Sequence, residues 1–292
     1  MIPKEVLQKV RQIEIRTKRI VDSILSGEYH SAFKGRGMEF SEVRAYTDGD
    51  DVRSIDWNVT ARMGTPYIKK HVEERELTVM LMVDASSSGD FGSIEKFKGE
   101  MAVELCSLLA FSAIRNNDRV GLIIFTSEVE TYIPPRKGKN HVLRVIRELL
   151  YFKPQNRGTN IGEALKFLNK VQTKTSVVFL VSDFMASGFE APLRVASKRH
   201  DLVAVSIKDP REEELPQVGL IELEDAETGE VLLLDTRSKK LLDQYRKEHQ
   251  RRRAVLDEFL RSIGVDAIQV STKTGYVDPI VKFFRKREKM FR

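Results

Sequence analysis

Apolar residues recur along this chain in two rhythms. Continuous runs occur at Leu77-Thr78-Val79-Met80-Leu81-Met82-Val83, Val120-Gly121-Leu122-Ile123-Ile124-Phe125, Val177-Val178-Phe179-Leu180-Val181 and Leu202-Val203-Ala204-Val205-Ser206-Ile207. Runs that are apolar on both faces read as strands buried inside a parallel sheet. Between them, helical spacing takes over: over residues 93–117, Ile94, Phe97, Met101, Leu105 and Leu108 share one face. The same spacing predicts helices near 140–152, 160–171, 190–199 and 238–263, the last closed by Gly264 before strand Val265 to Val270. A final amphipathic helix is expected over 277–292. Glu128 to Pro134 reads as an antiparallel edge strand, because Pro134-Pro135 cannot donate to a central ladder. Glu227-Thr228-Gly229-Glu230 between two apolar runs marks a hairpin over 219–234. Ahead of all this, residues 3–26 form a basic amphipathic helix ending at Gly27, and residues 28–76 break into turns and short strands.

Repeated strand–helix–strand units require crossover connections. They predict an α/β fold, a mostly parallel sheet with helices on both faces and an antiparallel edge strand. A small N-terminal segment of helix and short strands precedes it. The divisions are 1–76 for that segment, 77–275 for the sheet domain and 276–292 for a C-terminal basic helix. At 292 residues and 41% apolar content, the chain can bury one sizeable core. Its net charge of +6 is the difference between 49 basic and 43 acidic residues, so the surface is mixed and no nucleic-acid partner is expected. Cys106 is the only cysteine and falls on an apolar helical face, where it reads as a small core residue. No stretch approaches the roughly 20 apolar residues of a membrane span. The opening Met1-Ile2-Pro3-Lys4-Glu5 lacks a leader's apolar stretch, and a soluble cytoplasmic protein is expected. The basic tail from Lys282 to Arg292 leaves peripheral contact with acidic lipid open.

Chemistry gathers at strand ends. Asp84-Ala85-Ser86-Ser87-Ser88 sits where the first apolar run stops, Ser182-Asp183 ends a later run, and Gly158-Thr159-Asn160 opens a helix. In doubly wound sheets, ligands bind beyond the carboxyl ends of the strands. If the strands ending at Asp84 and Asp183 are neighbours, their carboxylates meet there. Asp84, Ser86 and Ser88 alternate and can converge, while Ala85 and Ser87 point elsewhere. The donors are all oxygens, with no imidazole or thiolate, which suits a hard divalent cation and fits zinc poorly.

Asp-x-Ser-x-Ser, a distant Gly-Thr-Asn and a strand-ending Asp resemble the metal-ion-dependent adhesion site of von Willebrand factor A domains. The five positions are Asp84, Ser86, Ser88, Thr159 and Asp183. Upstream, Phe33-Lys34-Gly35-Arg36-Gly37-Met38-Glu39-Phe40, Arg44-Ala45-Tyr46, the stretch from Gly49 to Trp57, Thr60-Ala61-Arg62 and Glu73-Glu74-Arg75-Glu76 are similar to the bacterial domain-of-unknown-function 58 proteins. That resemblance implies a von Willebrand A-like domain serving as an adaptor or co-chaperone of a MoxR-type AAA+ ATPase. It implies direct cation ligation by Ser86, Ser88 and, in some members, Thr159, with Asp84 and Asp183 acting largely through water. Mg²⁺ is the first candidate, with Mn²⁺ or Ca²⁺ as alternatives, and a client's Asp or Glu fills the open coordination position. Asn160 stands where the pattern more often has Asp, next to the ligand and not among the five.

Other features read plainly. Asp50, Asp51 and Asp56 are expected to pair with Arg44, Arg53 or Arg62 in a turn, ahead of a second metal or catalytic site, and Trp57 to be packed, with an interface anchor as the alternative. His30, His71, His141, His200 and His249 lack ligand spacing, while Glu212-Glu213-Glu214 and Arg251-Arg252-Arg253 read as solvated faces. No Gly-x₄-Gly-Lys-Ser/Thr phosphate loop occurs, and Gly35 and Gly37 lack the third glycine of a dinucleotide fingerprint. No catalytic residue is assigned, and a non-enzymatic protein-binding module is expected over a metal-assisted hydrolase or a structural domain with a vestigial metal site.

Overall fold

The computed structural model describes residues 4–21, 29, 32, 33, 38–73, 76–86, 98–224 and 229–290. The expected helix end at Gly27, Lys34 to Gly37, Glu74-Arg75, Ser88 and residues 225–228 of the hairpin turn lie outside them.

Six strands form the central sheet: β3 (Thr78–Asp84), β4 (Arg119–Phe125), β5 (Val129–Arg136), β6 (Val177–Ser182), β7 (Asp201–Lys208) and β10 (Asp266–Ser271). Their order is β10-β7-β6-β3-β4-β5. Every pairing is parallel except β4 with β5, which is antiparallel at the edge where Pro134 and Pro135 lie. This is the α/β architecture the runs predict. β3 occupies the middle because both its faces are apolar: Val79, Leu81 and Val83 point to one side, Met80 and Met82 to the other, all buried.

Alternation along the strands divides the core in two. One side carries α3 (Lys98–Arg115) and α4 (Lys139–Tyr151), and the other carries α5 (Ile161–Val171), α6 (Glu190–Arg199) and Leu260 of α8 (Lys239–Ser262). Cys106 is fully buried in α3, and burial pushes its thiol up to about 12, so it is a core residue as expected. In β4, Gly121 admits the Met80 thioether from β3: a methyl there would meet its sulfur at 2.6 Å and the Ile133 carbonyl of β5 at 3.1 Å.

Terminal segments close the first side. α1 (Lys4–Ile20) lies across α3 and α4, burying Val10. Tyr29 and Phe33 stack edge-on with Phe284 of α9 (Val277–Met290) at 5.6 and 5.9 Å, and Phe33 with Phe179 of β6 at 6.2 Å. Arg287 of α9 is buried despite the helix's basic sequence: it grips Asp201 at 2.7 and 2.8 Å and Asp266 at 2.7 Å, at the first residues of β7 and β10.

Two small antiparallel ribbons stand outside the sheet. β1 (Met38–Ala45) pairs with β2 (Tyr67–Glu73), and β8 (Leu220–Glu224) with β9 (Val231–Asp235). Between β1 and β2 one carboxylate makes the expected arginine pair and two act as caps. Asp50 takes a two-pronged contact from Arg44 at 2.7 and 2.9 Å, Asp51 caps a single 3₁₀ turn, and Asp56 caps α2 (Trp57–Met63). The helix itself was not foreseen. Trp57 is not packed: it opens a helix that buries none of its members and is itself 69% exposed.

Candidate functional site

The carboxyl ends of β7, β6, β3 and β4 stand side by side on one rim of the sheet. Register carries the sequence candidates there. Val83 faces Val181 across the β3–β6 pair, so Asp84 lies level with Ser182 and Asp183 follows by one residue. On the opposite flank Asp84 is paired with Phe125, and the Ala85 N–H donates to the Phe125 carbonyl at 2.9 Å.

Asp84 is held on both oxygens. One accepts the Ser86 N–H at 3.0 Å in a tight turn, and the other accepts the Ser182 hydroxyl at 2.7 Å. Burial, opposed by those hydrogen bonds and reinforced by the Asp183 charge, pushes the Asp84 carboxyl up to about 6. Ser86 is buried beside it.

Asp183 is presented by a turn of uncommon shape. Phe184 takes φ 58°, the left-handed region, at a cost of about 1–2 kcal/mol for a side chain of this kind. Its ring is anchored against Phe189 at 5.9 Å. In that turn the Phe184 N–H donates to the Ser182 hydroxyl and the Met185 N–H to Asp183 Oδ1, each at 3.0 Å. Strain next to a strand-end carboxylate, held by packing, is a common mark of a working site.

The loop that carries Thr159 is tied beside the end of β4. The Asn160 N–H donates to the Thr126 carbonyl at 2.7 Å, one residue beyond Phe125, and the Asn160 side chain caps α5 by accepting the Glu163 N–H. Thr126 in turn donates to Glu130 at 2.5 Å. Ser88 lies outside the described residues.

Two residues at this rim were not anticipated. Lys98, the first residue of α3, is only 4% exposed, and its ammonium lies 3.1 Å from Asp183 Oδ2 and 2.5 Å from Glu212 Oε1. Burial alone would lower the Lys98 pKa, but Asp183 and Glu212 outweigh it and hold the ammonium above its ordinary value. Glu212 belongs to α7 (Pro210–Glu213), a single turn after β7, where it also accepts the Asp209 N–H in a capping box. This corrects the reading of Glu212 as part of a solvated face. A capping-box spacing after a buried strand, Asp209 to Glu212, was the available signal. Glu214 is exposed as expected, and so are Arg251, Arg252 and Arg253.

The donor set is compatible with a hard divalent cation. Asp84, Asp183 and Glu212 contribute three negative charges and Lys98 one positive, which leaves two to be balanced. Among the described residues, no three His, Cys, Asp or Glu side chains cluster as a metal-binding group, so a cation at this rim would draw on Ser86 and Thr159 hydroxyls as well as carboxylates. His141 donates from Nε2 to the Val120 carbonyl at 2.9 Å, His249 stacks on Tyr245, and His200 is buried far down the sheet at the start of β7.

Comparison with known proteins gives the following. Residues 42–255 match the family described as "Protein of unknown function DUF58". The uncharacterized protein Rv1480 of Mycobacterium tuberculosis (strain ATCC 25618 / H37Rv) is 30% identical over 283 residues, covering 96% of this chain and 89% of that protein. Among solved structures, the conserved hypothetical protein BatB from Bacteroides thetaiotaomicron aligns with 73% of this chain and 99% of its own, at 18% identity and a TM-score of 0.48. The SpRpn10 VWA domain aligns with 70% of this chain and 94% of its own, at 13% identity and a TM-score of 0.41. Among the described residues, no helix is long and apolar enough to cross a membrane.

Proposed function

This chain belongs to the family described as protein of unknown function DUF58, and on that premise we propose that it is a non-enzymatic, cation-dependent protein-binding module. The observation that carries the reading is the meeting of Asp84, Ser86 and Asp183 at one rim, with the loop of Thr159 tied to the next strand. In this reading Ser86, Ser88 and Thr159 supply hydroxyl ligands, and Asp84 and Asp183 orient bound water and supply the balancing charge. A divalent cation, Mg²⁺ in the first instance, supplies a Lewis-acidic centre that accepts one further oxygen anion. An Asp or Glu of a client or partner fills that position. The partner proposed from the family resemblance is a MoxR-type AAA+ ATPase, with this chain as adaptor or co-chaperone in a cytoplasmic setting.

Each residue's part follows from its bonding. Asp84 has its oxygens occupied by the Ser86 N–H and the Ser182 hydroxyl, which fixes its plane. Asp183 is likewise fixed by the Met185 N–H and Lys98. Fixed carboxylates favour water-mediated contact over a flexible two-oxygen grip. Hydroxyl ligands leave more of the cation's charge for a partner than a cage of carboxylates would. The test is biolayer interferometry of the full chain against a MoxR-type AAA+ ATPase, with Mg²⁺ and with chelator. Binding at least tenfold weaker in chelator, and in Asp84→Ala with Mg²⁺ present, is expected. Equal affinity in all three conditions removes the cation from the mechanism, and no binding in any removes this partner.

A further inference from the structure

Lys98 has the least ordinary position of any charged side chain on the rim. A lysine that is 4% exposed has lost nearly all its water, which is tolerated only where anions replace it. Two do: Asp183 on the β6 turn and Glu212 on the turn after β7. The ammonium therefore takes a lone pair of one carboxylate proposed above to serve the cation, and it does so from inside the fold. Glu212 is not part of the Asp-x-Ser-x-Ser constellation. It is 28% exposed at its side chain and anchored by its other oxygen to the Asp209 N–H, so it is a fixed second acceptor for the same ammonium.

We infer that Lys98 is an internal competitor of the divalent cation for Asp183, with Glu212 as the acceptor that draws the ammonium away. The inference rests on the cation reading above and adds its regulation. Two consequences follow from charge alone. With Lys98 in place, the rim carries two net negative charges, which one divalent cation neutralises, so a partner's carboxylate can then approach without net repulsion. Without it, the rim carries three, holds the cation more tightly and stays negative when loaded. Lys98 thus trades cation affinity for the ability to take an anionic partner. Both its competition for the Asp183 oxygen and its simple repulsion of the cation act in the same direction, so the sign of the effect is fixed.

The two arms of the latch have opposite expected effects. Lys98→Met keeps the aliphatic stem and removes the charge, and should tighten binding of the cation by about tenfold or more, given one unit charge removed at close range in a half-buried site. Glu212→Gln keeps the acceptor for the Asp209 N–H and leaves Lys98 to Asp183, and should weaken it. The experiment is calorimetric titration of Mn²⁺ alone into the full-length wild type, both variants and Asp84→Ala, each first checked for folding by circular dichroism. Tighter binding in Lys98→Met with weaker binding in Glu212→Gln supports the latch. An ion pair that is merely structural predicts unchanged or weaker binding in both, and that result overturns it while binding lost only in Asp84→Ala leaves the cation reading standing. Absence of saturable Mn²⁺ binding in the wild type and in Lys98→Met overturns the cation reading and the latch together. If Lys98→Met does not fold, Lys98→Gln, which also removes the charge, takes its place, and an affinity no tighter than the wild type's overturns the latch.

Discussion

At the scale of single residues, burial decides which groups hold charge. Burial pushes the Asp84 carboxyl up to about 6, and hydrogen bonds from Ser182 and Ser86 offset part of that push. His200 shows the opposite outcome. It is 3% exposed, neither ring nitrogen has a partner among the described residues, and burial, aided by the neighbouring Arg199 charge, lowers it to about 4. The unfolded chain takes a proton there near pH 6.5, whereas the folded one does not until about pH 4. Its contribution is therefore complete above pH 6.5 and lost as pH falls from 6.5 toward 4, up to about 3 kcal/mol. In denaturant melts at pH 7 and pH 4.5, His200→Phe should lose less stability on acidification than the wild type. Parallel pH slopes for the two proteins would show that His200 is not the source. What could be read from the chain at this scale follows the same logic. Asp84 and Asp183 stand out because each interrupts a run of apolar residues, where a carboxylate can only be a strand end. Lys98 does not, since Lys96-Phe97-Lys98 looks like any solvent-facing helical start, and its partners lie 85 and 114 residues away.

At the scale of elements, the strand–helix alternation was legible almost to the residue because each strand's two faces and each helix's one face are decided by burial. Elements held by polar contacts were not. The α2 helix is seven residues long with no buried member, and it exists through the Asp56 cap and the Gly64 stop. Nothing apolar announces it, and the same lack of a buried face leaves Trp57 outside. The last helix, α9, was legible as amphipathic, but its docking was not, because a basic tail gives no hint that one arginine is buried. Arg287 binds two carboxylates, and its guanidinium stacks over Phe33 and Phe283 at 5.1 and 5.0 Å. Removing one member of a buried ionic group leaves the others unbalanced and typically costs about 3–5 kcal/mol. Arg287→Met, which keeps the bulk, should therefore fall in that range by urea denaturation at pH 7. A loss below about 1 kcal/mol would mean that Asp201 and Asp266 find other counter-charges.

At the scale of the whole molecule, the segment before β3 forms, among the described residues, no buried cluster of its own. Its buried Val10, Val21, Tyr29, Ala32 and Phe33 belong to the same cluster as Val79, Phe179 and Phe284. The chain's two end regions meet over the first face of the sheet, and a second tie comes from Tyr29, whose hydroxyl donates to Asp118 at 3.0 Å while Asp118 also accepts the Leu77 N–H. If this is one cooperative body, perturbations at Phe33 and Phe284 must not add. Their rings lie 5.9 Å apart, edge to face, a geometry contributing about 0.5–1.5 kcal/mol beyond burial. Phe33→Leu and Phe284→Leu each remove a ring while retaining an aliphatic side chain, and each should cost about 1–2 kcal/mol. The double variant should cost less than the sum by at least about 0.5 kcal/mol, because the pairwise contact is lost only once. Urea denaturation of the four proteins measures this, with a single transition expected in each. Strict additivity, or a separate early transition in Phe33→Leu, would mean that the N-terminal segment rests on the sheet without sharing its stability.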